Sequence, residues 1–210
     1  RGYAPLPVSL NRPGPVTLAV GAEVKNTFCL VRDQMAFCSG HLGDMDSLES
    51  QQAFATAVAQ MTALHAAEPA VVVADDHPGY ATRRWAERYG DEHGVPLLTV
   101  QHHHAHVASL LAEHGALGTP VIGVAFDGTG YGCDRTVWGG ELLHVGADVA
   151  EATRVGHLEA FLLPGGDRAV RHPFRVALAL LDLAGIPDAE GLDLTPACPK
   201  DEQAVVRSQL

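Results

Sequence analysis

The segment Val100-Gln101-His102-His103-His104-Ala105-His106-Val107-Ala108 carries four of the chain's twelve histidines. The apolar residues 95–100 just before it predict a buried strand, and apolar residues recur at helical spacing after it, up to Glu113. The histidines therefore lie where a strand ends and a helix begins. In an open α/β sheet that is the edge at which ligands bind.

The spacing of His102 and His106 predicts a metal site. On a helix, two residues four positions apart project from one face with Cβ atoms about 5–6 Å apart. Two neutral imidazoles so placed suit a divalent metal such as iron or zinc, and Asp127, at the predicted end of the next strand, adds a carboxylate. His103 either competes as a ligand or faces the substrate. The alternative is a polar helix start with solvated histidines.

The order of predicted elements indicates the fold. Three short strands, a helix, a strand, a helix, a strand and a helix follow one another, at residues 16–24, 26–32, 35–39, 48–64, 70–74, 80–92, 95–100 and 102–113. This β-β-β-α-β-α-β-α order is typical of one lobe of the actin/sugar-kinase/Hsp70-like (RNase H-like) α/β fold. We assign residues 16–118 to this first lobe.

The remaining segments flank that lobe. Strands at 121–126, 136–145 and 153–161 and a helix at 173–184 predict the first part of a second lobe over residues 119–186. Residues 187–210 are interpreted as a tail or a continuation of it, with a short helix at 201–210. Residues 1–15 are rich in proline and glycine, which indicates a linker from an upstream domain.

Composition excludes several classes of protein. The 210 residues have a net charge of −11 and no basic run, so the footprint of a nucleic-acid binder is missing. No apolar run approaches the roughly 20 residues of a membrane span. The four cysteines, Cys29, Cys38, Cys133 and Cys198, form no CxxC pair. That argues against a zinc ribbon and a disulfide scaffold and favours a reducing cytoplasm.

Polar and glycine-rich segments supply candidates for substrate binding. In this fold class the turn after the first strand faces the nucleotide phosphates, and here it contains Glu23, Lys25, Asn26 and Thr27. Lys25 would place a charge on a phosphate, and Asn26 and Thr27 would donate hydrogen bonds. The alternative is an ordinary polar hairpin turn.

Two further segments can each be interpreted either as binding sites or as ordinary structural features. Gly128, Thr129 and Gly130 after Asp127 predict the corresponding turn of the second lobe, where backbone N–H groups approach an anion; the alternative is a plain Asp-Gly hairpin. The second segment comprises Gly165, Gly166, Asp167 and Arg171. It would close over the substrate, or else merely cap the next helix through Asp167. His77, at a strand end, is with His103 a candidate for catalysis, or else simply begins a helix.

Six motifs in register carry a family resemblance. In chain order these are Gly21 to Leu30, Asp76-His77-Pro78-Gly79-Tyr80, Val100 to His106, Asp127 to Gly132, Trp138-Gly139-Gly140-Glu141 and Leu163-Pro164-Gly165-Gly166-Asp167. Together they resemble the N-terminal part of the C-terminal carbamoyltransferase domain of the HypF family, which serves nickel–iron hydrogenase maturation. The resemblance extends from Arg1 to about Gly185, and Arg1 to Pro5 resembles the seam after that family's upstream YrdC-like domain.

The resemblance implies a reaction and partners. The full enzyme would make carbamoyl-adenylate from carbamoyl phosphate and ATP, and this domain would transfer the carbamoyl group to the C-terminal cysteine of HypE. By the resemblance, His102 and His106 match the family's two metal histidines and Asp127 matches a position near the metal, whereas a further aspartate ligand of the family has no match. A non-catalytic metal-binding or partner-docking lobe and an O-carbamoyltransferase of antibiotic biosynthesis are the alternatives. On this resemblance the 210 residues alone are expected to be inactive.

Overall fold

A six-stranded sheet forms the centre of the larger of two compact units, Arg1–His157. The computed structural model describes residues 6–186 and 198–210. The strands follow the order β1-β4-β3-β2-β5-β6 across the sheet, and they are β1 (Val8–Ser9), β2 (Thr17–Ala19), β3 (Cys29–Arg32), β4 (Met35–Cys38), β5 (Val71–Asp75) and β6 (Leu97–Val100).

The sheet is antiparallel on one side and parallel on the other. β3 and β4 join through a two-residue turn in which Asp33 and Gln34 have positive φ values of 50° and 66°. That is the type I′ geometry that matches the twist of a hairpin. β2, β5 and β6 are parallel, so their carboxyl ends meet at one edge of the sheet. This edge carries the histidine segment.

Three helices accompany this sheet. They are α1 (Leu48–Leu64), α2 (Ala81–His93) and α3 (His102–Glu113). The Ser47 hydroxyl caps α1 by accepting a hydrogen bond from the Ser50 N–H. Phe54 of α1 packs edge-on against Phe28 and Trp85, in a core that also contains Leu18, Val20 and Val72.

A second sheet of three antiparallel strands completes this unit. It consists of β7 (Val121–Tyr131), β8 (Val137–Val145) and β9 (Ala152–His157). α3 packs on this sheet through Val107 and Leu111, which share a core with Trp138, Leu143 and Val145. β7 also carries three exposed apolar side chains, Ile122, Val124 and Phe126.

Outside residues 187–197, the smaller unit, Leu158–Leu210, contains three helices. They are α4 (Asp167–Arg171), α5 (Pro173–Leu183) and α6 (Lys200–Arg207). The buried Arg175 guanidinium donates to a Glu202 carboxylate oxygen at 2.7 Å and to the Pro164 carbonyl at 3.3 Å. This charge pair ties α6 to α5.

The predicted β-β-β-α-β-α-β-α order is confirmed, with one addition before it. Within the predicted linker, Val8 pairs with Ala36 and Ser9 with Met35, because β4 offers an open edge. β7–β9 belong with the first sheet to the compact unit Arg1–His157. The division into two lobes at 118/119 stays a prediction. Residues 1–5 and 187–197 lie outside the described residues. None of the described helices is long and apolar enough to span a membrane.

Candidate metal centre

The start of α3 lies at the carboxyl edge of the parallel strands. Gln101 is the N-cap of α3, and its side-chain oxygen accepts a hydrogen bond from the His104 N–H at 3.0 Å. The cap fixes where the helix begins and therefore which histidines point outward. β5 ends beside it at Asp75, whose buried carboxylate approaches His102.

Three side chains converge on one point. His102 Nε2 lies 2.9 Å from Asp127 Oδ2, and His106 Nε2 lies 3.5 Å from the same oxygen. The two imidazole Nε2 atoms are 3.2 Å apart. Behind them, the Asp75 carboxylate contacts His102 Nδ1 at 2.7 Å. His102 therefore presents Nε2 to the shared point while its other nitrogen is held from behind.

The donor set fits a transition metal. Ligand atoms held about 2.0–2.1 Å from one tetrahedral ion lie about 3.3 Å from each other, and the three atoms here are 2.9–3.5 Å apart. A carboxylate behind a ligating histidine fixes its tautomer and makes the imidazole more basic. Two imidazoles and one carboxylate, with one side exposed, leave room for a further ligand.

The charges around the site shift three pKa values. The hydrogen bond to Asp75 raises the pKa of His102 above its ordinary 6.5, against the opposing effect of burial. Burial lowers the pKa of His103, and the neighbouring His102 lowers it further. For Asp127, burial opposes ionisation, but the Gly128 N–H and the histidine charges together bring its pKa below 3.8. Asp127 is therefore ionised at neutral pH.

A break in register brings Asp127 toward α3, and here the predicted turn is wrong. Residues 127–130 lie inside β7, and the tight turn follows at Gly132–Arg135. Phe126 pairs with Gly140 and Gly130 with Trp138, so three residues of β7 stand opposite Gly139 alone. Such an irregularity re-aims side chains. Gly128 and Thr129 are exposed beside Asp127, whereas Gly130 is buried.

His103 occupies the core. Its ring has no exposed surface, and Nδ1 contacts the Gln101 amide nitrogen at 3.1 Å. A Cβ at Gly130 would lie 2.5 Å from His103 Cε1, so glycine there lets the strand approach the ring. Nε2 of His103 has no hydrogen-bond partner among the described residues. In this position the ring supports the packing of α3 on β7, and it does not face a substrate.

His77 lies behind the metal candidates. Its N–H donates to Asp75 Oδ1 at 2.9 Å, and its Nδ1 accepts from the Gly79 N–H at 3.0 Å. The ring stacks on Tyr80 and meets Tyr131 edge-on. His77 therefore helps to hold Asp75, and its Nδ1 is engaged in the turn before α2.

Two of the four predicted phosphate contacts are occupied within the protein. Glu23 Oε2 accepts the Ala81 N–H at 2.7 Å, which caps α2. The buried Asn26 amide donates to the carbonyls of Val20 and Ala22, at 2.9 and 2.7 Å. Both of its N–H bonds are used, so it does not donate to a ligand here.

Lys25 and Thr27, on either side of Asn26, remain exposed. Lys25 has a positive φ of 51°, and its N–H donates to Asp44 Oδ1 at 2.7 Å. The Lys25 and Thr27 side chains are thus the members of the predicted set that stay accessible.

The other predicted substrate contacts lie in the smaller unit. Gly165 and Gly166 have positive φ values of 81° and 55°, and Gly166 is the N-cap of α4. Asp167 is the first residue of α4 and Arg171 the last, and both are exposed. Asp167 is thus the first residue of a short helix, whose N-cap Gly166 has no side-chain hydrogen bond, and the cap through Asp167 that the structural alternative predicted is not observed.

An open groove of about 590 Å³ adjoins the candidate metal centre. It runs between α3 and β7, with His106 and Asp127 at one end. Its walls are largely apolar and include Leu110, Ile122 and Phe126. A ligand bound at the metal centre would therefore border an apolar surface.

Asp75 is the residue that sequence reasoning missed. It follows directly after the predicted strand 70–74, and the same logic that selected the histidines applies to it. β5 and β6 are adjacent and parallel, so residues after their carboxyl ends lie side by side. A carboxylate at the end of β5 was thus a detectable partner for a histidine at the end of β6.

Comparisons with known proteins agree on one family. A family model described as the HypF Kae1-like domain matches residues 12–113. A second, described as the second subdomain of the carbamoyltransferase Kae1-like domain, matches residues 123–210. The two matches together cover most of the chain.

Individual relatives carry the same name. The chain is 46% identical over 185 residues to carbamoyltransferase HypF2 of Cupriavidus necator, covering 88% of this chain and 23% of that protein. It is 41% identical to carbamoyltransferase HypF of Synechocystis sp., over 86% of this chain and 23% of the relative. The chain thus spans about a quarter of the length of these curated relatives.

Solved structures of similar fold are also HypF proteins. A crystal structure of full-length HypF in the phosphate- and nucleotide-bound form matches with a TM-score of 0.85 and 35% identity, covering 100% of this chain and 27% of that one. The crystal structure of T. kodakarensis HypF matches with a TM-score of 0.80 and 35% identity, covering 88% and 24% of the two chains.

Proposed function

The chain belongs to the HypF family, and we propose that it forms part of the carbamoyltransferase domain of a nickel–iron hydrogenase maturation protein. In this proposal the domain transfers a carbamoyl group from carbamoyl-adenylate to the C-terminal cysteine thiol of HypE. The adenylate derives from carbamoyl phosphate and ATP. A nucleotide-bound relative supports the nucleotide part of the assignment.

The convergence of His102, His106 and Asp127 carries the proposal. These residues would hold a divalent iron or zinc ion, with Asp75 fixing His102 from behind. When bound, such an ion polarises a carbonyl or phosphoryl oxygen. Lys25 and Thr27 on one side, and Gly128 and Thr129 on the other, are assigned to the nucleotide.

The test is the His102→Ala substitution in the full-length protein. We expect metal content to fall to background and carbamoyl transfer to HypE to fall by roughly 100-fold or more, because the ligand set loses its central member. His114→Ala is the matched control, since His114 is exposed at the other end of α3. Unchanged metal content in His102→Ala would refute the assignment.

The proposal also places the acceptor thiol outside this chain. The attacking cysteine belongs to HypE, so no cysteine of these 210 residues acts as nucleophile. A cytoplasmic location, where thiols stay reduced, follows from the same assignment. Cys133→Ser should therefore leave transfer unchanged.

A further inference from the structure

Cys29 and Cys38 face each other across the β3–β4 hairpin. The strand register pairs them directly.

 Counting from the hairpin turn gives the same pairing. Arg32 pairs with Met35 on either side of the turn, and each step outward moves one residue along both strands. Three steps from the turn, Cys29 therefore meets Cys38.

The hydrogen-bond pattern brings the two thiols close together. Ser39 N–H donates to the Phe28 carbonyl at 2.8 Å, so Phe28 and Ser39 form a hydrogen-bonded pair. Pairs alternate along an antiparallel ladder, and Cys29 and Cys38 thus occupy a non-hydrogen-bonded position. Cα atoms at such positions are about 4.5 Å apart, which lies within the range that a disulfide spans.

The two thiols differ in exposure and in charge. Cys38 is exposed and Cys29 is partly buried. A hydrogen bond from the Cys29 thiol lowers the pKa of Cys38 to about 6, against the opposing effect of burial. The same hydrogen bond, together with burial and the charge on Cys38, raises the pKa of Cys29. The exposed outer thiol is therefore the one that ionises first, while the inner one keeps its proton.

We propose that Cys29 and Cys38 form a redox-active dithiol site, which a low-molecular-weight disulfide of the glutathione type oxidises to an intramolecular disulfide. The Cys38 thiolate attacks one sulfur of glutathione disulfide, forms a mixed disulfide and releases one glutathione thiolate. Cys29 then loses its proton to solvent and attacks the Cys38 sulfur, which releases the second glutathione. Counted from two protonated thiols, the protein loses two electrons and two protons, and glutathione disulfide takes up both to become two glutathione thiols.

Capping of Cys38 also prepares Cys29 for the second step. In the mixed disulfide Cys38 carries no charge and no longer accepts the hydrogen bond that held the Cys29 proton. The inner thiol therefore ionises more readily once the outer one has reacted. The half-buried position of Cys29 keeps it from being capped first.

The site lies next to the segment that contains Lys25 and Thr27. Just beyond the cysteines the chain is held by the Asn26 N–H to Gly43 carbonyl bond at 2.8 Å, and by the Leu42 N–H to Asn26 carbonyl bond at 2.9 Å. A disulfide would join the two strands immediately before they reach this bridge. Oxidation should therefore slow amide hydrogen exchange at Phe28 and Ser39.

Tryptic mapping tests the disulfide directly. Arg32 separates the two cysteines, so trypsin places Cys29 in peptide 26–32 and Cys38 in peptide 33–83. After equilibration of the protein with glutathione disulfide, we expect these two peptides to be linked, and dithiothreitol to separate them. Cys133→Ser, which removes another exposed thiol, should give the same linked pair. Absence of the linked peptides in the oxidised protein would overturn the proposal.

Two variants test the roles of the separate thiols. Cys38→Ser should abolish the linkage and leave Cys29 unmodified by glutathione. Cys29→Ala should accumulate the mixed disulfide at Cys38, because no thiol remains to resolve it. Iodoacetamide at pH 6 should alkylate Cys38 about tenfold more slowly in Cys29→Ala than in the unsubstituted protein, because Cys38 has lost its hydrogen-bond donor. Equal alkylation rates in the two proteins would contradict the assigned roles.

Discussion

At the scale of single residues, the Asp75 carboxylate can be changed without removing any of the three candidate metal ligands. It contacts His102 Nδ1 at 2.7 Å and does not reach the shared metal point itself. We predict that Asp75→Asn lowers metal affinity about 10–100-fold while the fold stays intact, because His102 loses the charge that orients it. The neighbouring Asp76→Asn is the matched control. Competitive metal titration measures both, and equal affinities would contradict the prediction.

The pH dependence of metal binding follows from the same contact. The pKa of His102 is raised above 6.5, and the metal needs the neutral imidazole, so protons compete already above that pH. Apparent affinity should fall about tenfold for each pH unit below the His102 pKa. In Asp75→Asn the onset should move toward lower pH, because the hydrogen bond that raises the pKa is weakened. Metal titrations at several pH values test this, and an unchanged onset would count against it.

At the residue scale, the sequence predicts those features that depend only on the spacing of residues within one element. His102 and His106 share a helix face because of their spacing, and that much can be deduced without coordinates. Asn26 illustrates the opposite case. Its side chain is a good donor in a polar turn, but the buried carbonyls of Val20 and Ala22 take both N–H bonds. Which polar side chain turns inward depends on the unsatisfied backbone groups nearby, and the sequence does not reveal those.

At the scale of elements, the contact between α3 and β7 sets the position of the metal ligands. A Cβ at Gly123 would lie 2.4 Å from Val107 Cγ2, on a side chain that a helix holds in one rotamer. We predict that Gly123→Ala destabilises the protein by about 1–3 kcal/mol, because the helix or the strand must shift. Thermal unfolding measures the loss.

The matched control is Gly146→Ala, where the nearest atoms lie 3.9 Å from the added carbon. A second substitution, Val107→Ala, removes the methyl groups that clash and should recover part of the loss. If the double variant is as unstable as the sum of the two single ones, the contact is not the cause.

Two elements show how far the pattern of residues predicts structure. The predicted strands 26–32 and 35–39 leave only Asp33 and Gln34 for a turn between them, and counting outward from that turn pairs Cys29 with Cys38. β7 could not be predicted in this way. Asp127-Gly128-Thr129-Gly130 has the composition of a turn, yet pairing with β8 carries the strand through it to Tyr131. Tertiary pairing overrides the local preference there.

At the scale of the whole molecule, charge argues against nucleic acid as a partner. The chain has a net charge of −11, and its sequence contains no basic cluster that would release counterions from a phosphate backbone. We predict no binding to tRNA at about 200 mM salt, where weak electrostatic association is largely lost. A gel-shift titration with the purified protein is the measurement, and a stable complex at that salt concentration would show the prediction to be wrong.

We also predict that these 210 residues alone do not transfer carbamoyl groups. The candidate centre has an exposed side and borders an open groove, so a substrate would be held from one direction only. Transfer depends on fixed positions of donor and acceptor, which an open site does not provide. The assay is carbamoyl transfer to HypE by this chain mixed with the separate upstream domain. Turnover close to that of the full-length protein would contradict this.

The ligand set also determines when in folding an ion can act. Asp127 comes from β7, and the histidines come from α3, which follows β6 in the other sheet. The site is complete only after both sheets have packed on α3, and we expect that packing to follow the folding transition state. Contacts absent from the folding transition state change the unfolding rate and leave the folding rate almost unaltered. A bound ion would therefore prolong the lifetime of the folded chain without hastening its formation.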